Sequence, residues 1–274
     1  MNGPFREASE AEAARLWFAV SDLRQFESSE AFLAWRQEWP WKVRTDDAGN
    51  VAVLDAWREP LSYLQVRRAC CQSRRLGALL ADVRGVALAH GFEWVLSPLA
   101  EEAILQPYLD AGMTVRERLV VLQAQPSHIA SAKPPHDVAF RNAVPDDARA
   151  IEEVEAASFD EFWRRGHRDI AAHIEEGIAL VATDANVVIG YTLTTLSRET
   201  GSIGSLAVHP SARRQGVARA LLAEAVARIA SAGGRWVTLC TQEPNAASRA
   251  LYVSAGFAEL PGRLALACGA SDAG

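Results

Sequence analysis

Four short strings occur twice along this 274-residue chain, in the same order and at slowly lengthening offsets. Phe5-Arg6-x-Ala8 returns as Phe140-Arg141-x-Ala143, and an acidic, alanine-rich stretch with helical spacing follows each. Thr45-Asp46 ahead of Val51-Ala52-Val53-Leu54 returns as Thr183-Asp184 ahead of Val187-Val188-Ile189. Trp94-Val95 returns as Trp236-Val237, and Tyr108-x-x-x-Gly112-Met113 returns as Tyr252-x-x-x-Gly256-Phe257. One such coincidence means little. Four in sequence are the mark of a duplicated domain that has taken small insertions. Between the copies, segment 126–137 is rich in proline and small residues, lacks apolar periodicity and reads as a linker. The expectation is two tandem domains, 1–125 and 138–274, each long enough to bury its own core.

Composition narrows the function classes. A net charge of −6 argues against a general nucleic-acid binder, which needs a basic face. No stretch approaches the ~18 apolar residues of a membrane span, and no secretory signal opens the chain. Cys70, Cys71, Cys240 and Cys268 form neither a disulfide framework nor a CxxC pair, and they read as small buried residues in a reducing, cytoplasmic compartment. No His/Cys/Asp cluster has metal-ligand spacing, so no metal is expected.

The chemistry concentrates in Ser205–Ala218. A strand, Ser202–Val208, runs through His209-Pro210 into a loop, and the loop opens a helix on which Val217, Leu221, Leu222, Ala225, Val226 and Ile229 recur at helical spacing. At the helix entry stands Arg213-x-x-Gly216-x-Ala218. The first turn of a helix leaves N–H groups without partners and carries partial positive charge, so a phosphate can accept several of them. Gly216 and Ala218 allow close approach to the backbone, and Arg213 or Arg214 can add a charge-assisted bond. After the helix, Trp236–Thr241 is a short apolar strand, and Asn245 begins another helix closed by Gly256. The loop lacks the lysine of a G-x-x-x-x-G-K-[ST] phosphate motif, which disfavours a nucleotide-triphosphate site.

This order of strand, Arg-x-x-Gly-x-Ala loop, helix, buried strand and Asn245-x-x-Ser248-x-x-Leu251-Tyr252-x-x-x-Gly256-Phe257 helix resembles the GNAT superfamily of N-acetyltransferases over about Phe140–Ala267. The resemblance implies an α/β fold on a mixed sheet. It would comprise two tandem GNAT-like domains, each a mostly antiparallel central sheet with a splayed parallel pair flanked by helices. It implies acetyl-CoA, or another acyl-CoA, as cofactor, with a small-molecule amine or an N-terminal amine as acceptor and neither nucleic acid nor membrane as partner. Leu206, Ala207 and Val208 would pair with the pantetheine arm through backbone groups freed by a bulge. Arg213, Arg214, Gln215, Gly216, Val217, Ala218 and Arg219 would hold the pyrophosphate. Asn245 and Ser248 would contact the cofactor arm, and Tyr252 would both contact it and donate a proton to the departing thiolate. Glu243 is the first candidate for the base, followed by Glu155 and Glu161. Cys240 reads as buried and inert, and the string Phe159–Trp163 could line an acceptor pocket, although aromatics at this density more often pack a core.

The first copy departs from the pattern. With Leu79-Leu80 aligned on Leu221-Leu222, Cys71 stands in place of Arg213, Arg74 in place of Gly216, Leu76 in place of Ala218 and Glu101 in place of Asn245. Those side chains would block the backbone amides, so this half is expected to be silent, with Tyr108 as a packing residue. Both copies are short after their glycine-terminated helices, where the family has two longer strands, which suggests that the halves cover each other's open side. The competing expectation is a non-catalytic acyl-CoA-binding sensor of the same fold.

Overall fold

The computed structural model describes residues 3–21, 23, 26, 28–58 and 62–272. They fall into two compact units. One comprises the described residues of Met1–Trp57, Leu61–Arg118 and Leu264–Gly274, the other those of Arg58–Pro60 and Leu119–Arg263.

In the first unit β1 (Arg6–Glu7), α1 (Glu10–Val20) and α2 (Ser29–Glu38) lead into β2 (Val43–Thr45), β3 (Val51–Ala56) and β4 (Tyr63–Cys70). Then come α3 (Leu76–Ala89), β5 (Trp94–Leu96), β6 (Ala100–Glu101), α4 (Gln106–Asp110) and β7 (Thr114–Ala124), whose residues from Leu119 onward belong to the second unit. There, β8 (Val138–Asn142), α5 (Ala148–Ser158), α6 (His167–Glu176), β9 (Ile178–Asp184), β10 (Val187–Ser197) and β11 (Thr200–Val208) follow. The unit ends with α7 (Val217–Ser231), β12 (Trp236–Gln242), α8 (Ala246–Ala255) and β13 (Ala258–Glu259). The last strand, β14 (Leu264–Ala270), belongs to the first unit.

The sheet of the second unit runs β7-β12-β11-β10-β9-β8, and that of the first runs β1-β2-β3-β4-β5-β14. Among the described pairings within each unit one is parallel, β11–β12 in the second and β4–β5 in the first; the rest are antiparallel. The strand after the Tyr108 helix therefore pairs with β12 of the second unit, and β14, the second strand after the Tyr252 helix, pairs with β5 of the first. Each sheet is covered on both faces. In the second unit one core gathers α7, α8 and the inner residues of β7 and β12, and the other gathers α5 and α6 around Tyr191 and Leu193. In the first unit α3 and α4 cover one face, and α1 and α2 the other.

The echoed strings have physical reasons. Arg6 and Arg141 each fork onto a carboxylate at the start of the next helix, Glu12 at 2.8 and 2.9 Å and Asp147 at 2.6 and 2.8 Å. These bidentate bonds hold both carboxyls below their usual range. Trp94 and Trp236 each open the inner parallel strand, and each donates its N–H to a carbonyl before the partner strand, Ser62 and Glu199, at 3.0 Å. The helices of Tyr108 and Tyr252 both end on a left-handed glycine, Gly112 at φ 87° and Gly256 at φ 112°. The residue after each glycine then donates back to the tyrosine carbonyl, at 3.1 and 3.0 Å.

The two glycines differ in surroundings, which separates conformational strain from crowding. A Cβ at Gly112 would meet nothing within 4 Å, whereas one at Gly256 would stand 2.5 Å from the His128 carbonyl oxygen. Gly112→Ala is expected to cost about 1–2 kcal/mol, the penalty of a left-handed alanine. Gly256→Ala is expected to cost clearly more in urea denaturation, and equal losses would contradict the contact with His128.

Candidate active site

The site grows from a place where two parallel strands part. β11 and β12 pair from Thr200↔Trp236 to Ile203↔Leu239 and no further. On its other side β11 stays paired with β10, but the register slips between Thr194↔Ile203 and Leu193↔Ser205, leaving Gly204 as the extra residue of a bulge. A bulge turns the strand and sharpens its twist. From Ser205 to Val208, therefore, the edge of β11 that would have faced β12 looks into an open wedge.

The chain leaves the wedge through a short 3-10 turn, Pro210–Ala212, and then adopts left-handed backbone at Arg214 (φ 66°) and Gly216 (φ 86°). Left-handed residues in such a turn gather successive N–H groups into a concave anion site. Helix α7 starts at Val217 with no side chain capping it, and its first bond runs from Ala220 N–H to the Gly216 carbonyl at 3.1 Å. The amides of Val217, Ala218 and Arg219 precede that bond and have no partner inside the helix. Two of the nearby arginines are engaged: Arg213 Nε donates to the Val208 carbonyl at 3.1 Å, and Arg219 to Ser254 Oγ and O at 3.2 and 3.1 Å. Exposed Arg214 makes no hydrogen bond or ion pair among the described residues, so its whole guanidinium is open to an incoming anion, while Arg213 and Arg219 bond only neutral oxygens and keep their charge.

Wedge and loop open into one cleft of about 640 Å³. It is lined by Leu206, Ala207 and Val208, by Arg213, Arg214 and Gly216–Arg219, and from α8 by Asn245, Ser248 and Tyr252. Of the thirteen residues expected to hold the cofactor, Gln215 alone lies outside the lining, its amide turned toward the Ser211 carbonyl at 3.4 Å. Asn245 caps α8 by accepting the Ser248 N–H at 3.1 Å, which leaves its amino group as the part that can reach a ligand. Tyr252 is buried, sits edge-on to Phe257 and has its hydroxyl pushed up to about 12 by burial. It is therefore protonated at neutral pH.

Glu243, expected as the base, is not brought to the cleft. It pairs with Arg263 at 2.8 Å, while its backbone carbonyl accepts from Arg249 at 3.1 Å. Glu161 is exposed on a 3-10 turn beside Phe162, which is buried in contact with Trp163. Cys240, expected to be buried, is exposed on β12, because side chains alternate along a strand and those of Leu239 and Thr241 take the core side. Glu155 is almost wholly buried, and burial raises its pKa. Phe159 and Asp160, of the string expected to pack the core, line the cleft instead, together with Ser158, which carried no expectation. Among the described residues no group of three or more His, Cys, Asp or Glu could hold a metal, and no helix is long and apolar enough to cross a membrane.

The first unit repeats the strand geometry without the anion site. β4 and β5 pair only from Tyr63↔Trp94 to Gln65↔Leu96, and β4 carries the same slip, leaving Arg67 as the extra residue. The following loop has no left-handed residue. Ser73–Arg75 close a 3-10 turn that consumes the Arg75 N–H, and Arg75 enters α3 at φ −99°. The Arg75 guanidinium is spent on Asp46 and on the Gly3 carbonyl at 2.6 Å. Tyr108 is buried in the α3 core.

The wedge between the splayed parallel strands thus runs directly into a helix entry whose first backbone amides have no partner inside the helix. Residues 148–257 match the family model of the Acetyltransferase (GNAT) family, so this segment carries a GNAT domain. Solved structures agree on the fold. A GCN5-related N-acetyltransferase from Sphaerobacter thermophilus is similar at TM-score 0.67 and 19% identity, over 97% of this chain and 95% of that one. A tandem GNAT protein from the clavulanic acid biosynthesis pathway is similar at TM-score 0.72 and 14% identity, over 100% of both chains. A GCN5-related N-acetyltransferase from Kribbella flavida is similar at TM-score 0.63 and 14% identity, over 98% of this chain and 70% of that one. No curated protein matches the chain in sequence.

The double duty of Asn245 can be divided. Asn245→Ala is expected to lower stability by about 1 kcal/mol through loss of the cap, and Asn245→Asp to keep it. Thermal unfolding reads the difference, and equal melting of the two variants would remove the capping role.

Proposed function

We propose that the chain transfers an acetyl group from acetyl-CoA to a primary amine, of a small molecule or a polypeptide N-terminus, with both reactants bound at once and in a reducing, cytoplasmic setting. The observation that carries this reading is the joining of the β11 wedge and the Arg214–Gly216 turn in one cleft with Tyr252 in its wall. The cleft fits the cofactor by its chemistry. Unpartnered amides and the Arg214 charge suit a pyrophosphate, the edge of β11 suits an amide-bearing arm, and the apolar Leu206, Ala207 and Leu251 suit its methylenes.

Acetyl-CoA supplies, when bound, an activated thioester. The residues supply position and charge. The amides of Val217–Arg219 and Arg214 would hold the pyrophosphate, and the amino group of Asn245 would hold the arm. Freed N–H groups of β11 would face the thioester carbonyl and stabilise negative charge on its oxygen. The Tyr252 hydroxyl, kept protonated by burial, would hold the proton that the departing sulfur needs. Orienting the amine beside the thioester removes most of the entropic cost of their encounter.

Gly216→Glu places bulk and negative charge at the anion site, in a backbone conformation that favours glycine. It is expected to weaken CoA binding in calorimetry by at least about 100-fold, or ~2.7 kcal/mol. Retained affinity would refute the loop assignment. Tyr252→Phe is expected to lower turnover about 100-fold while changing acetyl-CoA affinity little. The reading as a whole is tested by thiol release from acetyl-CoA across a panel of amines. Tight CoA binding without release on any amine would make the protein a sensor instead.

A further inference from the structure

The first unit, which lacks the anion site, holds a cavity of its own at the other end of its inner parallel strand. The pairing of β4 with β5 begins at Tyr63↔Trp94, and the cavity lies at that beginning, away from the splay after Leu96. It measures about 520 Å³. Leu88, Phe92, Glu93 and Trp94 line it from the α3–β5 turn, and Ala270 and Asp272 line it from the end of β14. A cavity of this size, mostly apolar and with a few charged groups, has the make-up of a small-molecule site.

Its lining sets out what it can hold. Leu88 and Trp94 remain 56% and 39% exposed, two large apolar side chains left open in one cavity. Phe92 is half-buried against the α3 core, and the Trp94 ring stacks on Tyr63 at 6.3 Å and 21°. Among the described residues lining the cavity the charges are Glu93 and Asp272, both exposed and neither in a side-chain hydrogen bond or ion pair. An apolar body would cover Leu88 and Phe92. A positive charge on that body would meet the two carboxylates and the indole face, which attracts cations.

The backbone under these side chains is fixed. The N–H groups of Glu93 and Trp94 both donate to the Ser62 carbonyl, at 2.9 and 3.0 Å. Ser271 donates to the Glu93 carbonyl at 2.9 Å, and Ala270 is paired with Trp94, so the two carboxylates are brought to one cavity by adjacent strands. Before them, left-handed Gly91 (φ 78°) ends α3 and lets the Phe92 N–H return to the Ala87 carbonyl at 2.8 Å.

The duplication separates the lining from the frame. With Trp94 aligned on Trp236, Leu88 stands at Ala230, Phe92 at Gly234 and Glu93 at Arg235. The backbone is the same in both, since Arg235 and Trp236 both donate to the Glu199 carbonyl, at 2.7 and 3.0 Å. The side chains are opposite in kind. Gly234 leaves no room for one, because a Cβ there would run into Ile229, and Arg235 reverses the charge and pairs with Glu199 at 3.5 Å. The fold therefore does not require the leucine, the phenylalanine or the glutamate. We infer that this cavity of the first unit binds a small organic cation, a primary ammonium carried on an aromatic or other bulky apolar body. The site is independent of the acyl-transfer reading above.

The test titrates the full chain with phenethylammonium at neutral pH and follows the indole N–H resonance of Trp94 in protein labelled with nitrogen-15 tryptophan. Trp94→Phe identifies that resonance by its loss. Saturable binding with a Kd below about 1 mM is expected. Phenethyl alcohol, which has the same shape without the charge, should bind at least about tenfold more weakly. Glu93→Gln combined with Asp272→Asn should lower affinity for the ammonium about tenfold and leave that for the alcohol unchanged. Both side chains are exposed, so the melting temperature of this variant should stay at that of the wild type. Glu93→Arg, which copies Arg235, should abolish binding. No saturable shift of Trp94 up to about 10 mM overturns the site, as do shifts confined to other tryptophans. Equal affinity for ammonium and alcohol, or unchanged affinity in the double variant, overturns it too.

Discussion

The functional unit depends on the early end of one parallel pairing. Had β11 and β12 stayed bonded past Ile203 and Leu239, the backbone groups of Leu206–Val208 would be spent on each other and the cleft would be closed. The bulge at Gly204 prevents this by adding one residue to β11 while its pairing with β10 continues. Strand direction, wedge and loop entry then follow in order, because β11 delivers the chain to the turn in which Arg214 and Gly216 take left-handed backbone. Glycine at 216 is the inexpensive solution there, whereas Arg214 holds the same region at a cost that a folded site must offset.

The two units show which parts of this design are scaffold and which are site. Splay and bulge occur in both, at Gln65 and Arg67 as at Ile203 and Gly204. So do the arginine clamp on the first helix and the glycine-terminated tyrosine helix. These features belong to the fold. The anion site does not, because Ser73–Arg75 turn without a left-handed residue and Arg75 is committed to Asp46. The two units thus share a frame and differ in the backbone of one helix entry.

Much of this was legible in the sequence, and the reasons differ residue by residue. The helix entry after Arg213–Gly216 and the helix start at Asn245 could be read because local backbone chemistry sets the residue types found there. The duplication could be read because strand starts and helix ends demand particular residues. Glu243 misled because its place in sequence, just past β12, says nothing about which way its side chain turns; Arg263, twenty positions on, decides that. Cys240 misled because an apolar run hides which face of a strand is covered.

The central claim is that one cofactor site exists per chain, in the wedge of the second unit. The most direct measurement is the stoichiometry of CoA binding to the full-length protein by isothermal titration calorimetry. The account predicts one CoA per chain. Two equivalents would contradict it, because the first unit would then hold a cofactor despite a loop without left-handed backbone.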